Sequence, residues 1–208
     1  MTVSEMLTLL GYRLDDPNED RYIGTVKLAA LNAHQDTVVD LVSAGMLPGL
    51  QRHIDFDCPS TGYALPLSGL SPYLRYISSF QYQAAFRGWI TKVDVDDLGE
   101  LQDNQYTKGT DKNPICYVWS NYYYLLVDTY GGTYSHVRLF YLMQPSVMLV
   151  SAQSKLPSSL HEPLTRLAES DLRMTYKHGT LEEAITMRNE ALKSIMTINE
   201  QYKQGLIA

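Results

Sequence analysis

Five histidines and two cysteines, set among 23 acidic residues, are the groups in this chain whose spacing could support chemistry. His34, His53, His136, His161 and His178 are dispersed, and none falls in HExxH or in a CxxC-linked zinc pattern. His34 and Asp36 stand two apart, so on a helix they face different ways and cannot share a ligand. Asp94-Val95-Asp96-Asp97-Leu98-Gly99 resembles the start of a calcium loop. An EF-hand needs an oxygen ligand at its fifth position and a carboxylate at its twelfth, and here those are Leu98 and Gln105. Ser135-His136 with Asp128 nearby suggests a triad, but strand alternation puts Ser135 and His136 on opposite faces. No phosphate-cradling GxxxxGK[ST], no GxGxxG after a strand and no GxSxG elbow is present. The chain reads as a non-enzyme, with no catalytic residues, no cofactor and no metal.

Recognition chemistry is better represented. Tyr122, Tyr123 and Tyr124 run together, with Trp119 before them and Tyr130, Tyr134 and Tyr141 after. Tyrosines on a sheet can stack on sugars or bases or anchor a protein interface, and they also fill cores. Three in succession cannot all point inward. Tyr122, Tyr123, Tyr124, Tyr130 and Tyr134 are therefore the expected partner-facing aromatic surface.

The elements that position these groups follow from local pattern. Thr2 to Glu5 forms a capping box for a short helix that Gly11 closes. Asp15-Asp16-Pro17-Asn18 is a turn, with Asp16 or Asn18 as N-cap. A second helix over 19–43, ending at Gly45, would be about 37 Å long. Ser159 to Glu162 forms a capping box for a helix through Lys177, which Gly179 closes. Thr180 to Glu183 then starts the last helix, and the two must run antiparallel. Its core face should hold Leu181, Ile185, Leu192, Ile195 and Tyr202, so aspartates at 185 and 192 should unfold the hairpin. Strand-like alternation covers 54–58, 74–78, 89–95, 115–119 and 122–128. Residues 129–133 form a turn, from which 134–143 returns as hairpin partner, and the polar stretch 99–113 is an exposed loop.

These elements sort by composition, since 12 of the 16 tyrosines lie between Gln51 and Val150. The expected fold is α+β: an antiparallel helical bundle from the N- and C-terminal helices (1–50 and 151–208) with a β-rich, tyrosine-rich insertion over 51–150. The 208 residues, 45% hydrophobic and 19% charged, rule out wholesale disorder. A formal net charge of −6 excludes a surface built to grip nucleic acid through phosphates. No apolar run reaches the roughly 20 residues of a membrane span, and no signal peptide is recognisable at the N-terminus. Cys58 and Cys116 read as two half-buried thiols of a reduced, cytoplasmically assembled protein, a single disulfide between them being the alternative.

Flanking helices around a β-rich insertion, closing in a capped αα-hairpin and a loose apolar tail, define a layout. Its most specific stretch is Tyr141-Leu142-Met143-Gln144-Pro145, followed by Leu156-Pro157, His161, Leu164, Ala168 and Gly179-Thr180. The opening short helix, acidic turn and long helix carrying Asn32 fit it too. The chain resembles the head-to-tail adaptor (connector) proteins of tailed bacteriophages. The resemblance implies a structural subunit of the virion neck, about a dozen copies closing by rotation into a ring. That ring would join the phage portal protein to the tail nozzle or tail-tube protein, with tail fibres as a further neighbour. Genomic DNA would make transient, non-specific contact in its channel, which an acidic balance helps to pass. The tail Gly205, Leu206, Ile207 and Ala208 would be the portal-binding segment, ordering on contact. The rival expectation is a β-sandwich module of tail-fibre type that presents its tyrosines to a glycan.

Overall fold

The Thr2 hydroxyl accepts from the Glu5 amide at 3.2 Å, and the Glu5 carboxylate accepts from the Thr2 amide at 2.7 Å. This reciprocal cap starts α1 (Val3–Arg13), which buries Val3, Met6, Leu7 and Leu10. The computed structural model describes residues 1–58, 63–70, 73–82, 87–103, 109–110, 113–126 and 135–206. Its chain divides into two compact units, Met1–Leu50 with Pro145–Ala208, and Gln51–Gln144. The molecule is a mixed α+β protein.

In the first unit α1 runs through Gly11 rather than ending there. The second helix, α2 (Gly24–Leu41), is shorter than its pattern suggests. The cause is Asp16, whose carboxylate accepts the Arg21 amide at 3.1 Å and the Tyr22 amide at 2.7 Å. Those bonds hold residues 16–22 in a turn that a helix from Glu19 would have to break. Gly45 does not close α2 either. It lies in a 3₁₀ turn, where a Cβ would overlap the Tyr202 hydroxyl. Asn32 accepts from the Met148 amide at 2.7 Å, and Gln35 donates to the Ser146 carbonyl at 3.4 Å. Residues 145–150 therefore belong with the helices, not with the sheet lobe.

The capping box expected at Ser159 does not form. Leu160 is fully buried, residues Ser158–Leu160 tighten into a 3₁₀ turn, and the first helix of the hairpin begins only at His161. That helix, α4 (His161–Tyr176), is the central one and packs on α1, α2 and α5 (Leu181–Lys203). It is closed by Lys177 in a left-handed conformation (φ 54°), two residues before the expected Gly179. The box at Thr180 forms as its sequence requires, with bonds of 3.0 and 3.2 Å to and from Glu183.

The last helix corrects one expectation. Its buried residues are Ala184, Ala191, Ile195 and Asn199. Leu181 is 65% and Ile185 45% exposed, while Leu192 and Tyr202 are half-buried. Small alanines let the backbone approach its neighbour closely, so the contact line runs through them and the bulkier row beside them faces water. Aspartate substitution at 185 therefore meets solvent, not core.

The second unit holds β1 (Gln51–Cys58), β2 (Tyr63–Pro66), β3 (Tyr73–Tyr82), β4 (Arg87–Trp89) and β5 (Thr91–Lys92). After them come α3 (Leu98–Asp103), β6 (Ile115–Trp119), β7 (Tyr122–Leu126) and β8 (Ser135–Met143). They form two four-stranded sheets, ordered β1-β8-β3-β4 and β2-β7-β6-β5. The expected hairpin of β7 with β8 is absent, because the two strands belong to different sheets. Instead β7 pairs with β6 across Ser120 (φ 49°) and Asn121 (φ 64°), a two-residue turn whose twist suits a tight hairpin. The expected turn at 129–133 lies outside the described residues. The acidic segment near Asp94 is a 3₁₀ turn running into α3, so 99–113 begins as helix rather than loop. Leu67, Cys116, Tyr123, Leu125, Val137 and Leu139 centre the core of this unit. Cys58 and Cys116 are fully buried rather than half-buried, and no disulfide joins them.

Candidate functional site

Alternation along β7 decides which tyrosines are exposed. Tyr123 is fully buried, and its hydroxyl lies 2.9 Å from Ser79 Oγ, so the expectation that it faces a partner is overturned. Tyr122 is exposed and Tyr124 half-buried on the opposite face. There Tyr124 stacks on Tyr117 across the β6–β7 register, with ring centroids 4.6 Å apart and planes 6° from parallel. Trp119, opposite Tyr122 and 58% exposed, extends the platform. Tyr130 and Tyr134 lie outside the described residues.

The outer face of the other sheet carries an aromatic cluster that the sequence reading missed. Trp89, 65% exposed, packs against Phe80 at 5.3 Å and Phe140 at 6.0 Å between ring centroids. Beside it the Arg138 guanidinium grips Asp55 through two bonds of 2.7 and 2.8 Å, holding that carboxyl below the usual carboxylate range. His136 pairs with Asp57 and stacks under Tyr82. The available signal was the alternation of aromatics in β3 and β8. It needed the register to become a cluster, because Phe80, Trp89 and Phe140 come from three strands.

His136 is engaged by Asp57, and the Asp128 of the suspected triad lies outside the described residues. The Cys116 thiol is pushed up by burial, and Tyr76 and Ser79 surround it at 3.5 and 3.8 Å. Among the described residues no group of three His, Cys, Asp or Glu side chains is placed to hold a metal ion. No described helix is long and apolar enough to cross a membrane.

In the first unit, Leu181, Ile185 and Met196 expose an apolar shoulder along α5, and Val147, Leu149 and Val150 expose a second patch. Of the expected portal-binding tail, Gly205 adopts φ 71° and Leu206 is exposed; Ile207 and Ala208 lie outside the described residues. His34 approaches Asp171 at 3.9 Å rather than Asp36. Burial lowers its affinity for a proton, opposed by Asp171 and assisted by Arg188. Burial does the same to His161, against the pull of the Leu156 carbonyl and Glu5. Both folded-state values lie below the ordinary 6.5, so both groups stabilise the fold fully above that pH and withdraw stability as pH falls below it. The Tm of the helical unit should drop between neutral pH and about pH 5, and a His34→Gln/His161→Gln variant should flatten that slope. A thermal-melt series in buffers of matched ionic strength checks it; an unchanged slope in the variant refutes it.

No protein-family model matches this chain, and no curated protein matches it either.

Proposed function

We propose that the protein is a structural virion subunit, a head-to-tail adaptor that assembles as a ring between portal and tail and carries out no reaction. On this reading the N- and C-terminal helices make an antiparallel bundle that forms the ring, and the β-rich insertion presents its aromatic faces to tail components. The tail from Gly205 meets the portal, and the net charge of −6 lets DNA pass without being held. One observation carries the proposal: α5 is seated by small residues and leaves Leu181, Ile185 and Met196 in water. Apolar surface left exposed gives up about 25 cal/mol per Å² that a neighbouring subunit would recover. A contact of that kind between unlike faces of successive copies closes into a ring.

The test is mass measurement of the protein alone and with portal. Native protein should give a ring, alone or only on the portal. The Leu181→Glu/Ile185→Glu variant should remain a folded monomer in both conditions, with ring occupancy reduced at least about tenfold. Ring formation unaffected by the variant would refute the proposed contact.

A glycan-binding module is the second reading. It is favoured by the exposed Trp89 and Trp119, each beside further aromatic rings, and by the Asp55–Arg138 pair next to the first of them. It requires a monomer or trimer that binds sugar and is indifferent to portal.

A further inference from the structure

We infer that the cavity between α1 and the first turn of α2 is a receptor for a carboxylate side chain presented by a partner polypeptide. Lys27 is its cation, and Glu19 is an internal carboxylate that the partner's carboxylate displaces. The inference stands apart from the adaptor reading, since it concerns one pocket within the first unit.

Lys27 is only 2% exposed, although lysine is among the side chains least often buried. Its ammonium is admitted by Gly11, where a Cβ would come within 3.2 Å of Nζ. A buried ammonium needs an anion; Glu19 Oε1 bonds it at 3.1 Å, and the buried Asp16 carboxylate attracts it at longer range. Glu19 is loosely committed in two respects. Its side chain is 48% exposed, and its other oxygen accepts from the Gly24 amide at 3.1 Å, so only one oxygen serves Lys27. Glu19 also holds a left-handed backbone (φ 62°) that residues with a Cβ avoid, a conformation that recurs where binding is switched.

The space beside this pair measures about 220 Å³ and is bordered by Ser4, Thr8, Tyr12 and Val150 as well as by Lys27 and Glu19. A single water needs about 10–15 Å³ on that measure, so the cavity has room for a side chain. Its charge selects the ligand. Lys27 is the one cation in the lining and Glu19 stays tethered beside it, so a phosphate dianion would add more uncompensated charge than a single carboxylate, which takes up the bond to Lys27 that Glu19 gives up. Its rim selects the carrier. Tyr12 and Val150 are exposed apolar groups at the mouth, which suit the carbon neighbours of an acidic residue in a peptide better than a hydrated free ion.

The experiment titrates full-length protein, with lysine labelled at Cε for NMR, against the acetylated, amidated peptide Gly-Leu-Glu-Leu-Gly. Controls are its Gln counterpart, sodium acetate and inorganic phosphate. The Glu peptide should move the Lys27 resonance, and the Gln peptide should bind at least tenfold more weakly. Glu19→Gln, which removes the internal competitor, should tighten the Glu peptide about tenfold. Glu19→Ala should do the same, so an amide bond from the new Gln cannot mask the gain. Equal binding of the two peptides, no response in native protein or in the Glu19 variants, or no gain from either variant overturns the inference. Phosphate or acetate binding as tightly as the peptide overturns it as well, reducing the cavity to a free-anion hole.

Discussion

Ala191→Asp should unfold the helical unit, whereas Ile185→Asp should leave it intact. Ala191 and Ala184 are, with Ile195 and Asn199, the residues that α5 buries, and neither alanine is more than 1% exposed. A carboxylate at 191 would lose its water, and no basic side chain is among the residues α5 buries. An uncompensated buried charge costs about 3–5 kcal/mol. Domains of this size hold roughly 5–15 kcal/mol, so the variant should melt at least about 15 °C lower or be largely unfolded at room temperature. At 185 the same charge sits in solvent beside Glu182 and costs under about 1 kcal/mol. Far-ultraviolet circular dichroism on thermal melting reads both. Comparable losses at the two positions would return the core line to the Leu181–Ile185–Leu192 row.

That pair of substitutions also marks where local pattern ceases to be sufficient. Caps are settled within four residues, so Thr2 and Thr180 were legible: each side chain and its Glu three residues on satisfy one another whatever lies beyond. Ser159 offers the same letters but fails, because burying Leu160 is a tertiary demand that outweighs a cap worth about 1 kcal/mol. Apolar periodicity in α5 puts Leu181, Ile185, Leu192, Ile195 and Tyr202 near one face, of which only Ile195 is fully buried. It does not say which side of the helix packs, and the alanines at 184 and 191 decide that by permitting close approach. Strand pairing is less legible still. Gly131-Gly132 advertises a turn, yet β7 and β8 lie in separate sheets, and the tight turn is at Ser120-Asn121, where both residues take positive φ. The candidate surfaces follow the same division. Tyr122 and Tyr124 share a face by strand parity, which a reader can count. The Trp89 cluster gathers residues from positions 80, 89 and 140 and exists only once the register is known. Gly11 signals a helix end in the sequence but serves as the clearance over Lys27.

The second large effect is expected within the sheet unit, at the tyrosine triplet. Tyr123→Ala should cost about 3–5 kcal/mol, the range for removing a large aromatic from a core. The ring is packed on its edge and face by Phe56 at 5.8 Å and Tyr76 at 5.9 Å, so truncation empties space that neither neighbour can fill without leaving its own strand. Its hydroxyl is the smaller part. Ser79 Oγ retains Tyr76 at 3.1 Å, so Tyr123→Phe should cost no more than about 1 kcal/mol. Tyr122→Ala, one residue away and on the outer face, should cost under about 1 kcal/mol while thinning the aromatic platform. Both tryptophans of the chain, Trp89 and Trp119, lie in this unit, so tryptophan fluorescence during urea unfolding reports on it selectively. The midpoint should fall steeply for Tyr123→Ala and barely for the other two. If Tyr122→Ala proved as damaging as Tyr123→Ala, the outer face would be structural, and a surface that the unit needs for its own stability could not be given over to a partner.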